Sequence, residues 1–337
     1  MIEWIVREAS AREREILRRE EEATFSDVAA LRSRWLLDEN PAGPAVVLVA
    51  VAPDGRIAGT RAIFPWDFMV DGRRVLVAQI GRSWTRPEFQ MQGVSVAIGR
   101  GLQRAAAERG IPMLFSLPSV RSIRGHRRLD HLIDPGLQRR QIVVSPRFVA
   151  SWIPGALDHP LRWLRSANAL RLGHLSGVWQ RETEPGRVAE RLWPRLAGRP
   201  GVRGVRDGAF VSWRYGAASG LDYRVWSYPA GDPRLLAVTV RAGTRERVLD
   251  LWGDAPPGEV AAAAAKLVEV QARAGAWLVE WCPSENGPWK GIADRAGFIR
   301  RRIGIPLARW FPAAPETAGA LADPARFELT DGDTDYA

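Results

Sequence analysis

The hydrophobic pattern changes period several times along the chain, and each change marks an element. Ala11–Glu22 is charged and helix-favouring, and Phe25–Leu37 carries Val28, Leu31, Trp35 and Leu36 near a helical period. Asn40-Pro41-Ala42-Gly43-Pro44 then forces a turn. Val46–Val51 is an unbroken apolar run, which predicts a buried strand. Pro53-Asp54-Gly55 turns the chain into a second strand, Arg56–Pro65, and Asp71-Gly72 into a third, Arg74–Trp84. With Glu3–Arg7 in front, these segments predict an antiparallel meander. The period then becomes helical. Val96, Ile98, Leu102, Ala105 and Ala106 line one face of Val94–Arg109, and Gly110 is placed to cap it. Ile111–Leu117 reads as a strand, Ser122–Leu129 as a short helix and Gln141–Val144 as a last strand.

The second half repeats this order. Tyr223–Tyr228, Leu235–Arg241 and Glu246–Trp252 read as strands, Gly258–Arg273 as an alanine-rich helix and Ala276–Cys282 as an apolar strand. Trp289–Ala296 reads as a helix and Ile299–Ala308 as the final strand. Leu102–Ser116 and Leu267–Trp281 share one plan: helix, glycine, apolar strand. The fold class implied is α+β, with two tandem modules, each a mostly antiparallel mixed sheet flanked by helices. The expected divisions are 1–150, a connecting region 151–205, a second module 206–312 and a tail 313–337. A chain of 337 residues suits two domains. The connecting region holds Trp152, Trp163, Trp179 and Trp193, expected to pack across an interdomain face. The tail ends in Asp331-Gly332-Asp333-Thr334-Asp335, acidic and expected to be mobile.

Composition narrows the chemistry. Cys282 is the one cysteine, so neither an intrachain disulfide nor a cysteine-based metal site is expected. Four histidines make a dedicated zinc site improbable. No apolar run reaches the roughly 20 residues that span a bilayer, and Met1-Ile2-Glu3-Trp4-Ile5-Val6-Arg7 lacks the apolar core of a signal peptide. A cytoplasmic protein is expected. The net charge of +10 is carried almost wholly by arginine, Lys266 and Lys290 being the only lysines. These arginines are scattered and mixed with acids, whereas a polyanion binder concentrates its charge on one face. Nucleic acid is therefore not the expected partner, but a positive field suits an anionic small molecule.

One loop carries chemistry. Gln90-Met91-Gln92-Gly93-Val94-Ser95 lies between a strand and the start of a helix. A helix N-terminus offers backbone N–H donors and the positive end of its dipole to a phosphate. Gly93 lets the chain bend and a ligand approach the backbone. The segment resembles the acyl-coenzyme A signature of the GNAT superfamily of N-acyltransferases, Arg/Gln-x-x-Gly-x-Gly/Ala. Thr85-Arg86-Pro87-Glu88-Phe89 is similar to the Thr-x-Pro-x-Tyr/Phe segment that precedes it in that family. Trp35 through Pro44 resembles an upstream segment of one of its subgroups. The likeness covers most of residues 1–150 and, more faintly, 206–310.

The resemblance implies a sheet opened between its fourth and fifth strands, with the pantetheine arm along Arg82, Ser83 and Trp84 and the pyrophosphate on Gln90, Met91, Gln92, Gly93, Val94 and Ser95. An amine would attack the thioester of acetyl-CoA or another acyl-CoA directly, with no metal. His126, in His126-Arg127-Arg128-Leu129-Asp130-His131, occupies the place of the family's tyrosine acid. As an imidazolium it could protonate the departing thiolate near neutral pH. Asp67 and Glu88 are candidate bases, Asp67 the preferred one. Ser95 departs from the signature, and Arg82 stands where related chains carry an acid. Asp254-Ala255-Pro256-Pro257-Gly258-Glu259 gives the second module no comparable loop, and Ala293 replaces its acid. Trp213-Arg214-Tyr215, Asp250 and Glu280 are candidate acceptor contacts. The expected partner is a small-molecule amine, and the two-module look is similar to bacterial enzymes acylating nucleotide-linked amino sugars of surface polysaccharides. A homodimer stays open, as does a degenerate GNAT acting as a binding or scaffold protein.

Overall fold

In the computed structural model, which describes residues 4–25, 34–148, 177–285, 289–313 and 315–333, the predicted meander forms with longer strands than the pattern suggested. Strands β1 (Ile5–Glu8), β2 (Val46–Val51), β3 (Ile57–Val70) and β4 (Arg73–Thr85) pair antiparallel in chain order. Helix α1 (Ala11–Phe25) follows β1, and residues 34–38 are helical. Val28 and Leu31 lie outside the described residues. Next come α2 (Val94–Glu108), β5 (Leu114–Ser116), α3 (Ile123–Arg127) and β6 (Leu132–Val143). The stretch expected to connect two modules contains β7 (Gln180–Arg181), α4 (Pro185–Leu192), β8 (Val202–Gly204) and, just beyond it, α5 (Gly208–Tyr215). The second half runs β9 (Tyr223–Tyr228), β10 (Leu235–Ala242), β11 (Arg245–Gly253), α6 (Pro257–Arg273), β12 (Leu278–Trp281), α7 (Trp289–Arg295) and β13 (Ile299–Trp310).

The predicted elements assemble into one sheet, not two. Thirteen strands join in the order β1-β2-β3-β4-β5-β13-β6-β12-β11-β10-β9-β7, with β8 on β3. The last strand of each half leaves its own half: β13 pairs with β5, and β6 pairs with β12. The two exchanged strands also pair with each other, antiparallel, at the centre. There a Cβ on Gly136 would stand 2.4 Å from the Ile305 carbonyl oxygen, so the close crossing requires glycine. This is why Gly136 stands inside strand β6, which begins nine residues before the predicted Gln141.

Pro65 likewise does not end its strand. The ladder between β3 and β2 stops at Ile63 and that with β8 starts at Phe68, so Pro65 sits in the gap between two neighbours. Its missing N–H costs no ladder bond there, and Asn40 Nδ2 donates to its carbonyl at 2.7 Å.

The face covered by α2 buries Leu48, Ile63, Ile80, Ile98 and Leu102, and α6 covers the second half with Ala261, Ala264, Leu267 and Val268. The opposite face carries a core common to both halves, in which Phe64, Trp66, Phe68 and Phe115 join Phe210, Trp213, Phe327 and Leu329. Trp35 and Trp213 stack there with centroids 4.9 Å apart and exchange hydrogen bonds. The Trp35 indole N–H donates to the Trp213 carbonyl at 2.7 Å, and that of Trp213 to the Trp35 carbonyl at 3.1 Å. Trp179 and Trp193 are buried, while Trp152 and Trp163 lie outside the described residues.

The acidic tail, expected to be mobile, packs against the second half. Asp331 and Asp333 are buried, not solvated. Arg206 pairs with Asp250 and, at 2.8 Å, with Asp333; Arg247 donates to Asp331 at 2.8 Å. Arg214 Nε donates to the Gly332 carbonyl at 3.2 Å. Burial raises both aspartates above the usual carboxylate range despite their arginines. The charges that looked like a solvated end instead hold it down. Thr334 and Asp335 lie outside the described residues.

Candidate functional site

Parallel strands β4 and β5 meet only at Ala78–Leu114 and Gln79–Phe115. Beyond Gln79, β4 continues to Thr85 without β5 beside it. A bulge sharpens the divergence. Thr60 faces Trp84 and Ala62 faces Gly81, so Arg82 and Ser83 together oppose Arg61. Arg82 takes a left-handed backbone, φ 50°, and the extra residue bends the strand away. The result is a cavity of about 210 Å3 lined by Thr60, Arg61, Ser83, Trp84, Thr85, Ser95 and Ile98.

The predicted loop borders this opening. After the turn Pro87–Phe89, Met91 and Gly93 both adopt positive φ, 63° and 84°, which wraps the chain into the start of α2. Gly93 is the N-cap, and no side chain caps the helix. The first N–H groups of a helix have no intrahelical acceptor, so those of Val94 and Ser95 stay available to an anion. Side chains brace the loop from outside: Gln92 Nε2 donates to the Glu88 carbonyl at 2.8 Å, and Trp4 Nε1 to the Gln92 carbonyl at 3.1 Å. Gln90 Nε2 reaches the Thr85 carbonyl at 3.4 Å, and the Met91 side chain is fully exposed. The structure thus brings Ser83, Trp84 and Ser95 into one cavity beside the loop. Arg82 lines a second, smaller cavity of about 30 Å3 with Arg14, Leu17 and Arg18 of α1.

His126 differs from expectation in its charge. It is buried, with 2% exposure, and lies behind Arg61. Arg61 Nη2 stands 3.3 Å from His126 Nε2, and His126 Nδ1 stands 3.2 Å from His131 Nδ1. Burial, and then the Arg61 charge, bring His126 down to about 4. Burial, the neighbouring His126 and Arg61 bring His131 down to about 3. Both rings are neutral near pH 7, so His126 holds no imidazolium proton for a leaving group. The permanent cation in the wall of the opening is Arg61.

Asp67 is misplaced for a base. It lies seven residues along β3 from Thr60, roughly 23 Å at about 3.3 Å per residue. Its carboxylate accepts from Arg74 Nη2 at 2.6 Å, and Arg74 also reaches Asp207, the N-cap of α5. Glu88 is closer to the loop, exposed, and 3.4 Å from Arg56.

In the second half, Asp250 accepts from Tyr215 and Thr330, and Trp213 is core. Asp250 and Arg214 are spent on holding the C-terminal segment, and Trp213 on its stack with Trp35. Glu280 faces Gln141 across the β12–β6 ladder. Helix α6 starts with Pro256 as its cap and Pro257 as its first residue; prolines remove the N–H donors a phosphate would need. Ala293 is packing. Reading the sequence missed Arg61, whose signal was one charge in the apolar run from Ile57 to Phe64. Among the described residues no group of three His, Cys, Asp or Glu side chains could hold a metal, and no helix is long and apolar enough to cross a membrane.

No family model matches the sequence, and no curated protein matches it. Solved structures do match the fold. A GCN5-related N-acetyltransferase from Anabaena variabilis superposes with a TM-score of 0.67 at 15% identity, covering 92% of this chain and 73% of its own. A GCN5-related N-acetyltransferase from Kribbella flavida gives 0.59 at 14%, covering 92% and 71%. The class of fold is therefore that of the GNAT N-acetyltransferases: a mixed sheet flanked by helices, splayed beside a helix N-terminus.

Proposed function

We propose that this chain is an acyl-CoA-dependent N-acyltransferase with one donor site, in residues 1–150. The observation that carries the reading is the continuity of the β4–β5 opening with the uncapped start of α2. The pyrophosphate is assigned to the backbone from Gln90 to Ser95 and the pantetheine arm to the backbone of Arg82, Ser83 and Trp84. The acyl thioester then lies near the bulge. A neutral primary amine attacks the carbonyl carbon; the C–N bond forms, the C–S bond breaks, and coenzyme A leaves as the thiolate. The attacking nitrogen releases its proton to water. No metal takes part. The acceptor is a small-molecule amine. A nucleotide-linked amino sugar rests on tandem architecture alone, although the net charge of +10 favours an anionic acceptor. Residues 206–312 form a second half without a donor site, since Pro256 and Pro257 occupy the place of the loop.

A second reading, a degenerate binding or scaffold protein, is favoured by the absence of a titratable acid at His126. Calorimetric titration with acetyl-CoA, followed by free-thiol release with a panel of amines, separates the two. One molecule bound per chain with amine-dependent thiol release is expected. Binding without release under any amine supports the second reading, and no binding at millimolar acetyl-CoA refutes the donor site.

A further inference from the structure

The geometry points to Arg61 as the group that meets the sulfur of the acyl donor, with His126 and His131 as positioning residues that orient its guanidinium; this rests on the acyltransferase reading above. Arg61 lies in the wall of the opening with Ser83 and Trp84, the residues at and beside the β4 bulge. It is almost wholly buried, at 6% exposure. A buried cation needs acceptors, and the His126 ring is one that faces it.

The proton positions behind it follow from what each group can do. A guanidinium only donates. At 3.3 Å from Arg61 Nη2, His126 Nε2 must therefore be an acceptor, and the His126 proton sits on Nδ1. That N–H points at His131 Nδ1, 3.2 Å away, so His131 accepts there and carries its own proton on Nε2. His131 Nε2 is buried with no hydrogen-bond partner. Each ring thus offers an acceptor toward Arg61 and a donor away from it. Protonating His126 would turn an N–H toward the guanidinium, and protonating His131 would set two N–H groups against each other. The pair is built to remain neutral and to hold a cation, not to deliver a proton.

The consequence for the reaction is a thiolate held by charge. When the tetrahedral intermediate collapses, the C–S bond breaks and its electron pair stays on sulfur opposite Arg61. The amine proton leaves through water, and the sulfur takes a proton from solvent after release. No proton transfer from the protein is needed.

The test reads the sulfur of bound coenzyme A itself, free of any acceptor. The thiol of coenzyme A bound to the full chain is titrated by its thiolate ultraviolet absorbance. A cation within about 4–6 Å lowers an acid by about 1–3 pH units, so a shift of that size below free coenzyme A is expected in the wild type. Arg61→Met should abolish the shift while pyrophosphate contacts keep the affinity within a few fold. Arg61→Lys should retain part of it, and His126→Phe should reduce it by loosening the guanidinium. Coenzyme A that binds with an unshifted thiol overturns the role of Arg61 and leaves the donor site standing. So does a shift that survives Arg61→Met. Failure of coenzyme A to bind the wild type refutes both. The wild-type titration decides the question even where Arg61→Met does not fold.

Discussion

Replacing Trp35 by Phe tests whether the two halves fold as one unit. Trp35 is 2% exposed, stacks on Trp213, and has Arg214 against its ring at 5.3 Å. Phe keeps most of the apolar area and removes the N–H that the Trp213 carbonyl accepts at 2.7 Å. A buried carbonyl left without its partner costs about 1–3 kcal/mol. Truncation to Ala removes the ring as well and costs about 3–5 kcal/mol. The Trp213→Phe change removes the reciprocal 3.1 Å bond, so the double variant should show a coupling of about 0.5–3 kcal/mol rather than additivity. Urea unfolding followed by far-ultraviolet circular dichroism measures all four proteins. Because one sheet runs through both halves, each should unfold in a single transition with its midpoint lowered. Two resolved transitions, or a change below about 0.5 kcal/mol for Trp35→Phe, would refute the reasoning.

Acid should destabilise the protein through the histidine pair. Native His126 and His131 titrate at about 4 and about 3, against about 6.5 when unfolded. Between these values the unfolded chain binds protons that the native chain does not, so stability is flat above about pH 6.5 and falls as pH drops toward 4. The loss is on the order of a few kcal/mol, partly offset by Asp331 and Asp333, whose raised values act in the opposite sense. The midpoint of thermal unfolding against pH should slope less in a His126→Asn, His131→Asn double variant; equal slopes would remove the pair from the account. Gly93→Ala and Asp67→Asn form a contrasting pair. A Cβ on Gly93 meets nothing within 4 Å, so only its φ of 84° resists substitution, at about 1–2 kcal/mol; coenzyme A binding should weaken several fold in calorimetry. Asp67→Asn should leave that binding unchanged, and a loss there would return Asp67 to the site.

Much of the element order was legible because it rests on local period. Helix α2 and strands β9 to β13 follow the apolar spacing closely. Strand pairing was not legible, since β6 and β13 carry the same kind of pattern and only packing selects the partner. Pro65 shows a local rule overridden: a proline usually ends a strand, but here its neighbour on that side is Asn40 and not a ladder. The longer β3 that results carries Asp67 away from the opening. The loop from Gln90 to Ser95 could be found because glycine and helix-start signals are written in sequence. The state of His126 could not, because burial and Arg61 decide it. Arg61 is a single charge in an apolar run, and only the bulge opposite it places it at the opening.

The exchange of final strands between the halves has a consequence for synthesis on the ribosome. Ser116 in β5 finds its outer partner in Ala308, and Leu278 in β12 pairs with Val143. When the first half emerges, one side of β5 is an open row of backbone donors and acceptors, a template for pairing with the wrong chain. At about 5–20 residues per second, that edge waits on the order of ten seconds or more for β13. The nascent chain therefore passes through a sticky intermediate, and a nonsense codon placed between the two halves leaves it there.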